Sequence, residues 1–143
     1  MTEKTIFDPA AQGWRRNDPG TGGYEDRIGP TWKKPGADGR WRYGFMAMAH
    51  HINIQGVVHG GMLLSFADDA LGQTVWRAVQ KRPCATVSLN GNFVGPARLG
   101  DWVEAETEIV RHGRAMIFTQ ARIYVGERTV FNADGIWKLL GVD

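Results

Sequence analysis

The chain has 143 residues, which is the usual length of one domain and too short for two domains that each bury a core. Its hydrophobic fraction of 43% and charged fraction of 22% exclude a disordered or collagen-like polypeptide, and a net charge of +2 gives no strong field that favours nucleic acid or an anionic membrane. The single cysteine, Cys84, cannot form an intramolecular disulfide, and neither a secretory leader nor an apolar run of about 20 residues is recognisable, so we expect a cytoplasmic protein with no membrane segment.

The first 41 or so residues are rich in Gly, Pro and charged residues, a composition typical of turns and loops. We predict an extended N-terminal arm over residues 1–27 and a single domain over residues 28–143. Ile28, Trp32 and Trp41 are too apolar for a free tail, so we expect parts of this region to lie against the domain as a short strand or a plug.

One long helix and five strands are predicted in the rest of the chain. The β-like alternation from Trp41 to Gln55 predicts a strand that runs into a loop at Asn53, and the apolar residues from Met62 to about Lys81 predict a helix that is covered on nearly all sides. Four β-like runs follow, over residues 85–93, 102–111, 115–125 and 130–140. This order predicts an α+β fold in which a curved antiparallel β-sheet wraps around one long central helix, the hotdog fold.

The segment that leads into this helix ends in His59-Gly60-Gly61. Glycines at the start of a helix let the backbone approach a ligand closely, and the free N–H groups of the first turn can stabilise a developing negative charge. Gly60 and Gly61 therefore outline an oxyanion hole. In the structural alternative, the two glycines only form a tight loop, and His59 caps the helix or satisfies the core.

Asp68 is the candidate catalytic residue of the helix. Its neighbours on the same helical face are uncharged, namely Leu64, Leu71, Gly72 and Val75. A carboxylate in such surroundings must be hydrogen-bonded or have a raised pKa, and either condition suits a base or a nucleophile. Asp69 shares its side of the helix with polar residues, so we interpret it as structural.

The distance between Gly60 and Asp68 predicts a site shared between subunits. Asp68 lies eight residues beyond Gly60, which is roughly 12 Å along a helix axis. A carbonyl under attack needs its oxyanion donor and its base each within about 3 Å. Two antiparallel helices related by a two-fold axis would bring residue 68 of one chain near residue 60 of the other, so we predict a homodimer as the minimal active unit. Pairing of two dimers into a homotetramer is left open.

Asn53, the His59-Gly60-Gly61 triplet, Asp68 and the later turn over residues 96–101 together resemble the phenylacetic-acid-degradation-type (PaaI-like) hotdog thioesterases. The resemblance covers about residues 28–140 and implies an acyl-coenzyme A substrate, with Asp68 either attacking the thioester or activating water. It implies that the Gly60 N–H polarises the thioester carbonyl, that Asn53 positions the water or the substrate, and that His59 orients the loop and the carbonyl. Thr86 occupies the place of a Ser or Thr that assists the water in such enzymes, although a Thr is also ordinary in a strand.

Other site chemistries find no support in the sequence. The nucleophile motif Gly-x-Ser-x-Gly is absent, and the histidines and Cys84 lack the spacing of a metal site, so we predict neither a metal nor a cofactor. Arg111 and Arg114 are candidates for binding the phosphates of coenzyme A, and Gly61 for contacting the substrate. The two arginines are equally well interpreted as solvated charges of a turn.

Two alternative functions remain at this point. A hotdog hydratase or dehydratase also acts on acyl thioesters, with a His and an acidic residue on the helix, but the position of His59 before Gly-Gly favours hydrolysis. A non-catalytic hotdog protein that binds acyl-coenzyme A would not require Asp68. The sequence does not identify the acyl group, and the aromatic residues of the arm are candidates to close one end of its pocket.

Overall fold

Seven antiparallel strands and one long helix make up most of the computed structural model, which describes residues 6–141. The strands are β1 (Arg15–Asn17), β2 (Thr31–Pro35), β3 (Trp41–Met46), β4 (Cys84–Phe93), β5 (Trp102–His112), β6 (Met116–Val125) and β7 (Arg128–Leu139). The helices are α1 (Tyr24–Ile28) and α2 (Gly60–Ala78), and short 3-10 helices lie at Ala10–Gln12 and Ala49–His51. The strand order is β1-β2-β3-β5-β6-β7-β4, so α2 carries the chain from β3 to the far edge of the sheet. This arrangement confirms the predicted hotdog fold.

The core lies between α2 and the sheet. The side of α2 that faces the sheet is apolar and buried, and it includes Leu63, Phe66, Ala67, Ala70, Leu71 and Val75. In β5, Val103 and Ala105 are buried, whereas Glu104 between them points away from the core. A sheet with one apolar face buries that face by curving around the apolar helix, because the removal of apolar surface from water stabilises the fold.

The predicted strand from Trp41 to Gln55 is shorter in the structure, because β3 ends at Met46. His51 accounts for the difference. Its ring is buried, with Nδ1 accepting a hydrogen bond from the Met48 N–H (3.0 Å) and Nε2 contacting the Ile28 carbonyl oxygen (2.5 Å). These bonds hold the chain in a 3-10 turn, so it cannot continue along the sheet.

The N-terminal region contributes two strands that its composition did not predict individually. β1 pairs with β2, and β2 pairs with β3, so both extend the sheet beyond the five predicted strands. The predicted boundary between residues 27 and 28 falls inside α1. Residues 1–5 of the predicted arm, and residues 142 and 143 of the predicted domain, lie outside the described residues. Within residues 6–141, no helix is long and apolar enough to cross a membrane.

Candidate active site

The loop before α2 is held in shape by Asn53. Its side-chain Oδ1 accepts hydrogen bonds from the backbone N–H groups of Gln55 (2.9 Å) and Val57 (3.2 Å), and its own N–H donates to the Val57 carbonyl (2.8 Å). Asx turns of this kind fix the path of the backbone. In the structure, Asn53 therefore shapes the entry to the helix, and its contact with water or substrate stays a prediction.

His59 is the N-cap residue of α2. Its Nδ1 accepts a hydrogen bond from the Gly61 N–H (2.7 Å), which is the structural alternative considered for this residue. A neutral imidazole that accepts at Nδ1 carries its proton on Nε2, so the exposed ring can still donate a hydrogen bond. Because His59 uses the Gly61 N–H, Gly61 does not offer a free donor to a substrate.

The Gly60 N–H is available to a ligand. Beyond Gly61, the N–H groups of Met62 and Leu63 donate to the His59 carbonyl oxygen (2.9 and 3.3 Å). The Gly60 N–H, by contrast, has no acceptor among residues 6–141. It also lies at the positive end of a 19-residue helix. The arrangement suits stabilisation of a developing oxyanion at Gly60.

Phe93 forms a wall beside Gly60. A Cβ atom added at Gly60 would be 3.0 Å from the Phe93 ring, so the ring lies directly against the start of the helix. The ring packs on Phe131 with 4.8 Å between centroids, and Phe131 in turn occupies the space over Gly91, where a Cβ atom would be 2.1 Å away. No pattern in the sequence singles out Phe93. Gly91 within β4 is the available signal, because such glycines often mark a close approach.

Asp68 and Thr86 are brought together by the packing of α2 on β4. The Thr86 hydroxyl donates a hydrogen bond to Asp68 Oδ1 at 2.8 Å, although the two residues are 18 positions apart. A bulge in the pairing of β4 with β7 follows Thr86 directly, and bulges commonly re-aim side chains beside active sites. The bond fixes the orientation of the carboxylate, and Oδ2 has no hydrogen-bond partner in the described part of the chain.

Two adjoining cavities are lined by Asp68. One of about 480 Å³ lies between α2 and β4, and its walls include Asp68, Thr86, Cys84 and Trp137. The other, of about 260 Å³, shares Glu25, Asp68 and Asp69 with the first and is also lined by Tyr24 of α1. Together they have the size of a small-molecule binding site.

Larger or similar cavities lie elsewhere on the molecule. One of about 580 Å³ is surrounded by charged side chains such as Glu106 and Arg122, and one of about 400 Å³ lies beside Arg77 and Trp41. Neither cavity is lined by a predicted site residue, so Asp68 marks the candidate site.

The structure keeps Gly60 and Asp68 apart within one chain. Gly60 lies against Phe93 at the end of β4, whereas Asp68 contacts Thr86 near its start. Thr86 and Phe93 are seven residues apart in β4, and Gly60 and Asp68 are eight residues apart in α2, roughly 12 Å along the helix axis. The two halves of the predicted site therefore lie at opposite ends of the same strand.

Arg111 and Arg114 are exposed residues near the turn between β5 and β6. This turn lies at the end of the sheet where β4 begins, because the Leu139 N–H donates to the Ala115 carbonyl oxygen and Leu139 pairs with Cys84. Neither arginine lines the cavities at Asp68. Their contact with coenzyme A phosphates stays a prediction. Across residues 6–141, no group of three or more His, Cys, Asp or Glu side chains is arranged to hold a metal ion.

Asp69 has an environment that its position on the polar side of α2 did not predict. Burial, and secondarily the charge of Glu25 on α1, raise the pKa of Asp69 to about 6, although the Gln73 side chain donates a hydrogen bond to it (3.1 Å). The carboxyl group therefore holds its proton more tightly in the folded protein than in the unfolded chain.

This raised pKa predicts a pH-dependent effect of Asp69→Asn. Between about pH 4 and pH 6 the folded state binds more protons than the unfolded state, so stability is lost as the pH rises through that range. Asn removes the ionisation, so we expect the variant to have a higher melting temperature than the wild type at pH 7.5, with a difference that shrinks toward pH 4. Calorimetry over this range tests the expectation, and a difference that does not depend on pH would contradict it.

Comparison with known proteins identifies the family. A sequence profile described as the thioesterase superfamily matches residues 55–131, from the loop before α2 into β7. The matched segment includes Gly60, Asp68 and Thr86. The chain belongs to the thioesterase superfamily. Thioester hydrolysis is the activity of this family, and the resemblance seen in the sequence is thereby confirmed at the level of the superfamily.

Individual relatives agree with this assignment. A Pseudomonas aeruginosa protein named "Putative esterase PA0474" is 35% identical over 115 residues, which cover 80% of this chain and 86% of the relative. Human acyl-coenzyme A thioesterase 13 is 25% identical over 69 residues, 48% of this chain and 49% of the human protein. The structure resembles the BH2602 protein from Bacillus halodurans, solved with coenzyme A, with a TM-score of 0.71 and 26% identity over 78% of this chain and 74% of the other. The protein is a thioester hydrolase with a hotdog fold.

Proposed function

We propose that this thioesterase hydrolyses acyl-coenzyme A esters to a free acid and coenzyme A, in an active site shared by two subunits. The observation that carries the proposal is the pair of complementary half-sites in each chain. One half is the oriented carboxylate of Asp68, held by Thr86 beside a cavity. The other is the Gly60 N–H at a helix N-terminus, which has no acceptor in the part of the chain that the structure describes.

These groups have the properties that thioester hydrolysis needs. The Gly60 N–H polarises the carbonyl and stabilises the oxyanion that forms when the carbonyl carbon is attacked. The Asp68 carboxylate either attacks that carbon, giving an anhydride that water then opens, or removes a proton from the attacking water. In both routes the C–S bond breaks and coenzyme A leaves as a thiolate, which takes up a proton from water or from the protonated Asp68, while Thr86 keeps the carboxylate aligned.

The free edge of β4 is where we place the second subunit. Among residues 6–141, β4 pairs with β7 on one side only, and it is ten residues long with exposed apolar residues, Val87 and Phe93 among them. Long apolar edge strands are usually covered, because they otherwise aggregate. Antiparallel pairing of two β4 strands about their midpoint would set Thr86 opposite residues 91 and 92 of the partner subunit. Asp68 of one chain would then approach Gly60 of the partner subunit.

The relatives support an acyl-coenzyme A substrate. One sequence relative is named an acyl-coenzyme A thioesterase, and one structural relative was solved with coenzyme A. Arg111 and Arg114 are the residues we propose to meet the phosphates of coenzyme A, because both are exposed cations. A homotetramer of two such dimers and a cytoplasmic location stay predictions.

Thiol release from a panel of acyl-coenzyme A esters by the purified protein tests the proposed function, with sedimentation equilibrium to measure its oligomeric state. We expect turnover by a dimer or a dimer of dimers. Binding of the esters without thiol release would contradict the proposed hydrolase and support a non-catalytic acyl-coenzyme A-binding protein. Hydration of an enoyl ester without thiol release would support the hydratase alternative, and turnover by a strict monomer would contradict the shared site.

A further inference from the structure

α1 is docked on the outer face of α2, close to Asp68. The Tyr24 hydroxyl makes a hydrogen bond of 2.5 Å with Ser65 Oγ, which joins the first residue of α1 to the second turn of α2. The segment before α1 is tied to it as well, because the Asp26 carboxylate accepts hydrogen bonds from the N–H groups of Gly20 (3.2 Å) and Gly22 (2.6 Å). The N-terminal end of α1 is therefore fixed in place.

The other end of α1 is held by two histidines. His51 Nε2 contacts the Ile28 carbonyl oxygen at 2.5 Å, and His50 Nε2 contacts the Gly29 carbonyl oxygen at 2.7 Å. Since the His51 ring accepts the Met48 N–H at Nδ1, its Nε2 is the donor to Ile28. α1 is thus attached at both ends, and it has a defined position relative to the catalytic helix.

Residues of α1 form one wall of the 260 Å³ cavity, and Tyr24 in that wall is 64% exposed in the single chain. The apolar walls of this cavity are Tyr24 and Ile28 of the N-terminal region, Leu64 of α2 and Leu89 of β4, and Asp68 lies at its edge. Ser65 precedes Asp68 by three residues, about 4.5 Å along the axis, so the Tyr24 hydroxyl is about one helical turn from the carboxylate. An acyl chain that entered the cavity past Asp68 would therefore come close to the Tyr24 ring.

We propose that this cavity receives the acyl group and that Tyr24 is the residue that limits its length. The inference rests on the proposed function, because it identifies the acyl pocket of the same site. The charged side chains that line the cavity are all acidic, namely Glu25, Asp68 and Asp69. Apolar walls that carry only acidic charged groups favour an uncharged acyl group over one that ends in a carboxylate. The cavity size suits a short chain or a single ring.

Tyr24→Ala tests the inference, with Tyr24→Phe as the matched control. Ala removes the ring and opens the end of the cavity, whereas Phe removes only the hydroxyl and its bond to Ser65. Each additional methylene that fits a pocket is worth about 10-fold or more in kcat/KM. We expect Tyr24→Ala to raise the ratio of kcat/KM for decanoyl- over butyryl-coenzyme A at least about 10-fold, and Tyr24→Phe to keep that ratio within about threefold of the wild type.

Equilibrium binding of the same esters to Asp68→Asn and to Asp68→Asn/Tyr24→Ala separates this inference from the proposed function. Turnover and binding profiles that do not change with Tyr24→Ala would overturn the assignment of the pocket while the hydrolase stands. Binding whose length preference shifts, without turnover by the wild type, would support the pocket and overturn the hydrolase. A wild type that neither binds nor hydrolyses any ester would overturn both.

Discussion

Asp68→Asn should lower kcat for acyl-coenzyme A hydrolysis at least about 100-fold, the scale expected when a catalytic base is removed. Asn has nearly the same shape and can still accept the hydrogen bond from Thr86, so the cavity and the fold should be preserved. It can neither attack the thioester nor take a proton from water. Initial-rate kinetics with thiol detection, together with a thermal melt to confirm folding, provide the measurement.

The neighbouring carboxylate supplies the matched control for this variant. The Asp69 carboxylate accepts a hydrogen bond from Gln73 rather than from Thr86. We therefore expect Asp69→Asn to keep kcat within about 10-fold of the wild type. Thr86→Val, which keeps the side-chain shape without the hydroxyl, should give an intermediate loss because the carboxylate remains but is no longer oriented. Equal losses for Asp68→Asn and Asp69→Asn would argue against a specific role of Asp68.

The parts of the fold that the sequence predicts are those whose signal is local. In β5, Glu104 and Glu106 alternate with small or apolar residues, which indicates one solvent-exposed face and one buried face. The observed strand ends at His112, one residue beyond its predicted end. The apolar stripe of α2 likewise extends over five turns. β1 has only three residues, and β2 contains Lys33 and Lys34, so neither is long or apolar enough to produce a pattern. Their place in the sheet is set by backbone pairing.

In the candidate site, too, the sequence predicts residues with a local signal and does not predict tertiary contacts. Asp68 is conspicuous because a carboxylate interrupts an apolar helix face, which sequence periodicity reveals directly. The docking of Tyr24 on Ser65 joins residues 41 positions apart, and no periodic pattern records such a contact. The raised pKa of Asp69 depends on the same docking, because Glu25 of α1 contributes to it. The tertiary contacts of α1 thus determine the features of the site that the sequence does not predict.

Gly60→Pro should lower kcat by about 100- to 1000-fold, because it removes the N–H that we assign to the oxyanion hole. Gly60 is the first residue of α2, and proline is well tolerated at that position because the N–H there makes no bond within the helix. His59 has φ −58° and ψ 135°, which a residue before proline readily adopts. The substitution therefore removes a donor with little expected cost to the helix, and thermal melting checks this.

Gly60→Ala is the matched control, because it adds a side chain but keeps the N–H. The new Cβ atom would lie 3.0 Å from the Phe93 ring, a contact that a shift of the ring by a few tenths of an ångström relieves. We expect kcat within about 10-fold of the wild type. A loss in Gly60→Ala as large as that in Gly60→Pro would show that space near Phe93, rather than the donor, accounts for the effect.

Mixing the two inactive variants tests whether the site is shared. In a dimer of one Gly60→Pro chain and one Asp68→Asn chain, one of the two shared sites combines the intact Gly60 of one subunit with the intact Asp68 of the other. After unfolding and refolding at equal concentrations, half of the dimers are mixed, so activity should return to about a quarter of the wild-type value. If both groups of a site came from one chain, every site would lack one of them and the mixture would remain inactive.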